Sequence, residues 1–214
     1  YQDLEHAEKI KSHLSLLGNV AWFVGDYEAA EKYYKEFEVY AKRSGDQVSS
    51  EIRILGDKAE LGFVMGDVEA ACRYSESAIE LMKKNQRDEF SGGATQTYAF
   101  ALLHSGRVEE ARSCFEKSIT QMKKVGQGNW AVGSWHGLGD LERMTGNIPA
   151  AKEHYQRVVF ICQKTLYYVY YPYAFDGSAK VALLQNDHIR SAHLFAASDV
   201  AQKIWNCPYA PLPP

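Results

Sequence analysis

No run of 18 apolar residues occurs in the chain, so no membrane-spanning helix is expected, and no secretory signal is visible. Excess positive charge is lacking too. The 24 Lys and Arg against 27 Asp and Glu leave a net charge of −3, which offers no general attraction to nucleic acid or to acidic membranes. Cysteine is sparse. Cys72, Cys114, Cys162 and Cys207 stand far apart, and no C-x-x-C pair exists. That pattern predicts a reduced, cytoplasmic chain with buried thiols. The chain opens Tyr1-Gln2-Asp3 without an initiator Met and reads as an excised or processed segment.

The motifs of common chemistry are absent as well. No G-x-x-x-x-G-K-[ST] nucleotide loop, H-E-x-x-H metal pair or G-x-S-x-G elbow is found. Gly137 and Gly139 lack the third glycine of a dinucleotide fingerprint and lie in a helical pattern. The histidines are His6, His13, His104, His136, His154, His188 and His193. His188 and His193 are five apart, poor spacing for one helical face. No cofactor, metal site or catalytic residue is predicted. Glu28, Glu31, Glu109, Glu110 and Glu153 fall on outer faces, with Lys or Arg three or four residues away.

What the sequence does contain is a period. Gly25-Asp26-Tyr27-Glu28-Ala29-Ala30 recurs as Gly66-Asp67-Val68-Glu69-Ala70-Ala71 and as Gly106-Arg107-Val108-Glu109-Glu110-Ala111. Gly146-Asn147-Ile148-Pro149-Ala150-Ala151 follows, and Asn186 to Ala192 is a worn fifth copy. The turn residues 25, 66, 106, 146 and 186 are 41, 40, 40 and 40 apart. A fixed period in this range marks a helical solenoid. Each unit reads as two helices around the turn. Gly supplies the positive φ at the end of the first, and Asp26, Asp67 or Asn147 caps the second. Pro149 falls in the first turn of its helix, where a missing N–H costs little.

Small residues precede each turn by seven (Gly18, Ala59, Ala99, Gly139, Ala179) and follow it by five (Ala30, Ala71, Ala111, Ala151, Ser191). Both sites predict close helix approach. An aromatic follows four residues later (Tyr34, Phe115, Tyr155, Phe195), except in the second unit, where Ser75 stands. These rings are expected to fill the wedge between units.

From about Leu14 to Ile204 the pattern resembles the tetratricopeptide repeat (TPR), in its variety of about 40 residues. The resemblance implies an all-α, TPR-like α-solenoid: five helix-turn-helix repeats in a right-handed superhelix. The units are placed at about 12–46, 52–86, 93–126, 132–165 and 172–206, within one domain over 1–207. Residues 208–214 are expected to form an extended, proline-rich tail. Leu16 to Asp46, and the ending Ser191 to Pro214, are similar to the C-terminal sensor regions of MalT-like and LuxR-type signal-transduction ATPases. That implies a regulatory module of a larger protein, without the ATPase and DNA-binding parts. Repeats of eukaryotic peptide-binding adaptors are similar too.

In this repeat class the first helix of each unit lines a concave groove, so the resemblance implies groove positions. They are Ser15, Asn19, Trp22 and Phe23 in the first unit, then Arg53, Glu60, Phe63 and Val64. The third unit gives Gln96, Phe100, Leu103 and His104, and the fourth His136, Asp140, Arg143 and Met144. The last gives Tyr173, Asp176, Lys180 and Leu183. The candidates for binding are Asn19, Trp22, Phe63, Gln96, Phe100, His104, His136, Asp140, Arg143, Tyr173 and Lys180. For the aromatics among them, packing between units is an equal alternative. His136, Asp140 and Arg143 are expected to be exposed. Asn19 fits a site at which some family members grip a peptide carboxylate, but Ser15 and Arg53 do not supply the accompanying lysines. Binding of chaperone C-termini is therefore disfavoured. The stretch Thr165 to Gly177 holds five tyrosines between Tyr167 and Tyr173 and reads as an inter-unit wedge, an aromatic binding patch or a dimer contact.

The expected function is non-catalytic: a protein- or peptide-binding TPR module, the sensor or scaffold part of a bacterial signalling or transcriptional regulator. The alternative is a small-molecule effector receptor whose ligand, bound in the groove, controls assembly of a larger regulator. A homodimer, if one forms, is expected to run through an exposed terminal repeat, and no nucleic-acid or membrane partner is expected.

Overall fold

The computed structural model describes residues 2–43, 45–87, 91–165 and 168–205, without the side chains of residues 2–5, 23, 91 and 205. Ten α-helices run through it: α1 Gln2–Phe23, α2 Tyr27–Ala41, α3 Gln47–Val64, α4 Val68–Asn85 and α5 Ser91–His104. Then come α6 Val108–Lys124, α7 Val132–Met144, α8 Ile148–Lys164, α9 Tyr171–Leu184 and α10 His188–Trp205. No strand occurs among the described residues. The helices pair in chain order, α1 with α2 through to α9 with α10. Each second helix also packs on the next first helix, and each first helix on the next, from α1·α3 to α7·α9. Five hairpins stacked in register make an all-α, TPR-like solenoid.

The turn follows one recipe. Gly25, Gly66, Gly106 and Gly146 hold φ of 86°, 81°, 73° and 82°, and Asn186 takes the same role at 61°. The amide after each closes back on the carbonyl five residues earlier, as in Asp26 N to Ala21 O at 2.9 Å and Asn147 N to Glu142 O at 2.8 Å. These are Schellman closures. Asp26 and Asp67 accept from Ala29 N at 3.0 Å and Ala70 N at 2.9 Å, capping the second helix. Asn147 does not cap, contrary to expectation. Its Nδ2 donates to Glu142 Oε2 at 2.9 Å, and Pro149 stands in the first turn of α8 without an N–H to offer.

The core lies between the helices of each pair and between successive pairs. Ala30, Ala71, Ala111 and Ala151 are fully buried, as are Ala59, Ala99 and Ala179 opposite them. Position 139 requires glycine for space: a Cβ there would lie 2.6 Å from Cε1 of Tyr155. Position 18 is alike, with Tyr34 Cε1 2.3 Å away. Three of the four expected wedges are present, since Tyr34, Phe115 and Tyr155 have no exposed surface, whereas Phe195, with no repeat after it, is only half-buried. Cys162 is buried, whereas Cys72 and Cys114 are only half-buried; none of these three forms a disulfide. Cys207, Tyr167 and the expected tail 208–214 lie outside the described residues. No helix among the described residues is long and apolar enough to cross a membrane.

Candidate functional site

Because first helices touch in series, residues two, three and six before each turn, and those seven further back at ten and thirteen, share one wall of the stack. A row of rings crosses it. Phe63 on α3 lies 5.7 Å from Phe100 and 5.0 Å, edge-on, from His104, both on α5. Phe100 lies 6.3 Å from His136 on α7, which meets Tyr173 on α9 edge-on at 5.5 Å. Tyr170 continues the row 5.9 Å from Tyr173. The row rests on the inter-unit wedges: Phe100 stands edge-on to Phe115 at 4.9 Å, and His136 is 6.1 Å from Tyr155. Phe63, Phe100, His104 and Tyr173 are each half-exposed, with one edge packed and one presented. Burial pushes the His104 pKa below its ordinary value, against the opposing pull of Asp140, so its ring is neutral at pH 7.

Two of the expected wall residues lie beneath it. His136 is 5% exposed and Asp140 8%, and Arg143 is half-buried. The cause is Tyr155, whose hydroxyl donates to Asp140 Oδ1 at 2.8 Å. His136 Nε2 comes within 3.4 Å of Asp140 Oδ2, and Arg143 Nη2 within 3.5 Å of Oδ1. The carboxylate thus organises the floor of the fourth repeat. The first repeat has a neutral counterpart, with the Tyr34 hydroxyl donating to Asn19 Oδ1 at 2.8 Å. Trp22 is half-buried and packs against the Leu14, Tyr34 and Phe37 cluster. Gln96 sits over Gly133, with Ser134 Oγ 3.1 Å from its Oε1. At the far end Lys180 pairs with Asp176 at 2.9 Å. The side chain of Phe23 lies outside the described residues.

The second repeat breaks the rule. Ser75 replaces the wedge aromatic and is fully buried with its Oγ unpartnered. By register, Glu60 occupies the place of Asn19 and Asp140 but has no phenol below it. Burial, with repulsion from Asp57, pushes the Glu60 carboxyl up to about 7. Asp57 is pushed up to about 6 by burial, although Arg53 beside it pulls the other way. It also accepts from Ser15 Oγ at 3.2 Å and lies 3.4 Å from Arg53 Nε. This carboxylate pair was missed from sequence. The signal was nonetheless present: the positions equivalent to Asp57 hold Thr97, Gly137 and Gly177, small residues that mark a buried place. Among the described residues no three His, Cys, Asp or Glu side chains gather as a metal site.

The tyrosine-rich stretch divides its roles. Tyr170 and Tyr171 pack against Val132, Val158 and Cys162, wedging the fourth and fifth repeats. Tyr171 also stacks on Phe175 at 5.6 Å. Tyr173 turns to the wall.

Comparisons with known proteins agree with this geometry. Family models described as tetratricopeptide repeat match residues 93–164 and 14–37. No curated protein matches the sequence. Among solved structures, BtubC (BKLC) from P. vanneervenii superposes with a TM-score of 0.68 at 17% identity, over 100% of this chain and 91% of that one. The Rap conjugation gene regulator of plasmid pLS20, in complex with the Phr* peptide, gives 0.73 at 12% identity, over 90% of this chain and 53% of that one. Apo RapI gives 0.67 at 13% identity, over 92% and 71%. Two stretches of the chain thus match the tetratricopeptide repeat, and the chain folds as a TPR-like helical solenoid.

Proposed function

We propose that the chain is a non-catalytic peptide-binding module whose ligand lies along the wall of first helices. The observation that carries this is the row of rings from Phe63 to Tyr173, half-exposed on α3, α5 and α9 and bridged beneath the surface by the buried His136 of α7. Rings presented edge-out on rigid helices are strong anchors with little side-chain entropy to lose. Their pitch suggests the ligand. Packed helices stand about 8–10 Å apart, and an extended polyproline-type chain advances about 9 Å in three residues. A segment of roughly ten residues with apolar side chains at a three-residue spacing would span the first helices α3, α5, α7 and α9 and meet the exposed rings of α3, α5 and α9. The pLS20 regulator, which shares the fold at low identity, is known with a peptide bound. The wider setting, a sensor or scaffold part of a bacterial regulator, rests on the resemblance of Leu16 to Asp46 and of the tail.

The test is selection from a random dodecapeptide display library on immobilised chain, in parallel with a Phe63→Ser/His104→Ser variant. Both substitutions are on half-exposed residues, so the variant is expected to fold, which circular dichroism checks. Sequences enriched on wild type, apolar at every third position and lost on the variant, support the reading. Enrichment that ignores the variant excludes the wall.

A further inference from the structure

The four internal junctions of the stack show what a first helix expects from the repeat before it. The residue five before the turn is closed off each time: Leu61, Ala101, Leu141 and Val181 are at most 6% exposed. So is the residue nine before the turn, at Asp57, Thr97, Gly137 and Gly177. The cover is the preceding second helix. Val181 clusters with Ala151 and Tyr155 of α8, and Leu61 with Ala30 and Tyr34 of α2. A Cβ on Gly137 would lie 2.2 Å from Phe115, and one on Gly177 2.3 Å from Tyr155.

On α1 the same two places hold Leu16, 60% exposed, and Val20, 52% exposed. Leu17 beside them is exposed as well. In the second and third repeats its place holds Lys58 and Tyr98, which reach Glu38 and Glu76 of the preceding helix. The α1 face is therefore a more apolar version of a junction the molecule builds four times, left uncovered. The other end differs. At the places where α4 and α6 have Ile79 with Met82, and Ile119 with Met122, α10 has Asp199 and Gln202, flanked by the exposed Val200 and Ile204. Polar residues at those two places do not repeat the apolar offer made inside the stack.

We infer that the α1 face is the receiving half of an inter-repeat junction, and that its occupant is an amphipathic helix of the second-helix kind. The register specifies that helix further. Where the receiving residue is Gly137 or Gly177 the covering helix brings Phe115 or Tyr155. Where it is Thr97 the helix brings Ser75. Asp57 coexists with Tyr34 because its carboxylate turns aside to Ser15 and Arg53. Leu16 is larger than any of these and 60% exposed, so the occupant has small residues at both contact places, four apart. Among the chain's own helices α4, with Ala71 and Ser75, has that pattern. A second copy stacked end to end would instead present Asp199 and Gln202 of α10 at the junction places.

The probe is a peptide of residues 66–87 with Cys72→Ser, hydrocarbon-stapled between positions 69 and 73 and shown helical by circular dichroism. It is titrated into the 15N-labelled chain. The expected result is saturable shift changes at residues 12–24, with affinity at least about tenfold weaker for Leu16→Glu/Val20→Glu. The same peptide carrying Ser75→Tyr is expected to bind several-fold less tightly. Absence of shifts at about 1 mM peptide, or shifts centred on the ring row instead, overturns the inference. So does sedimentation showing that the chain is a dimer which Leu16→Glu/Val20→Glu makes monomeric, because the face then belongs to a second copy.

Discussion

Tyr155→Phe and Tyr34→Phe remove the same atom from equivalent places, yet the structure predicts unequal costs. Both rings are fully buried and stay packed in the variants. In the fourth repeat the lost hydroxyl is the short donor to Asp140, at 2.8 Å. Asp140 is 8% exposed, and what remains to it are the longer contacts to His136 and Arg143 at 3.4 and 3.5 Å. A hydrogen bond to a charged, buried acceptor is worth about 1.5–3 kcal/mol. In the first repeat the acceptor is the neutral, half-exposed Asn19. Water can replace the phenol there, and the cost is about 0.5–1.5 kcal/mol. Tyr155→Phe is therefore expected to be the more damaging by about 1–2 kcal/mol, a factor of roughly 5–30 in the folding equilibrium. Urea unfolding at pH 7.5 followed by circular dichroism gives the two values. Solenoids lose repeats in units, so native-state hydrogen exchange should localise the loss to α7 and α8 in one variant and to α1 and α2 in the other. Equal costs, or a larger cost at Tyr34, would refute the assignment of Asp140 as a buried, phenol-dependent charge.

The glycines sort by what surrounds them. Gly56→Ala has open space within α3 and should stabilise by about 0.5–1 kcal/mol, whereas Gly177→Ala drives a methyl to 2.3 Å from Tyr155 Cζ and should cost about 1–3 kcal/mol; melting curves decide both. Glu60 and Asp57 have folded-state pKa values raised to about 7 and about 6 from 4.5 and 3.8. The folded chain therefore holds protons that the unfolded chain has released, and this contribution to stability declines as pH rises from about 4 to 7. Glu60→Gln removes the group that resists ionisation and should stabilise by about 1–2 kcal/mol at pH 8, with little gain at pH 4; a flat difference between those pH values would contradict it. Asn186→Gly, at a φ of 61°, should hold or raise stability by up to about 1 kcal/mol, and Asn186→Val should lower it.

The architecture was legible because it is one local rule written five times. A glycine at a left-handed turn, a small residue seven before it and another five after it each have a single physical reason, and repetition in register excludes coincidence. The rings were legible as wedge or wall but not as which. Phe63 and Tyr173 divide their edges between the two, a matter of depth that spacing does not encode. His136 and Asp140 looked polar and hence exposed. Their burial follows from the Tyr155 hydroxyl, 15 residues away in sequence from Asp140, which gives a charge an internal partner. Ser75 was visible as a missing wedge, but its consequence for Glu60 required the pairing of places six before and nine after the turn. The Asn147 side chain was drawn to Glu142, a competition between two acceptable partners that only the geometry resolves.

The central claim is that the wall of first helices is where a ligand peptide lies. The direct measurement is a two-dimensional NMR titration of the labelled chain with a peptide chosen by the display selection. The account predicts that the largest shift changes fall on α3, α5, α7 and α9, around Phe63, Phe100, His104 and Tyr173. Changes confined to the second helices, or to the exposed faces of α1 and α10, would contradict it.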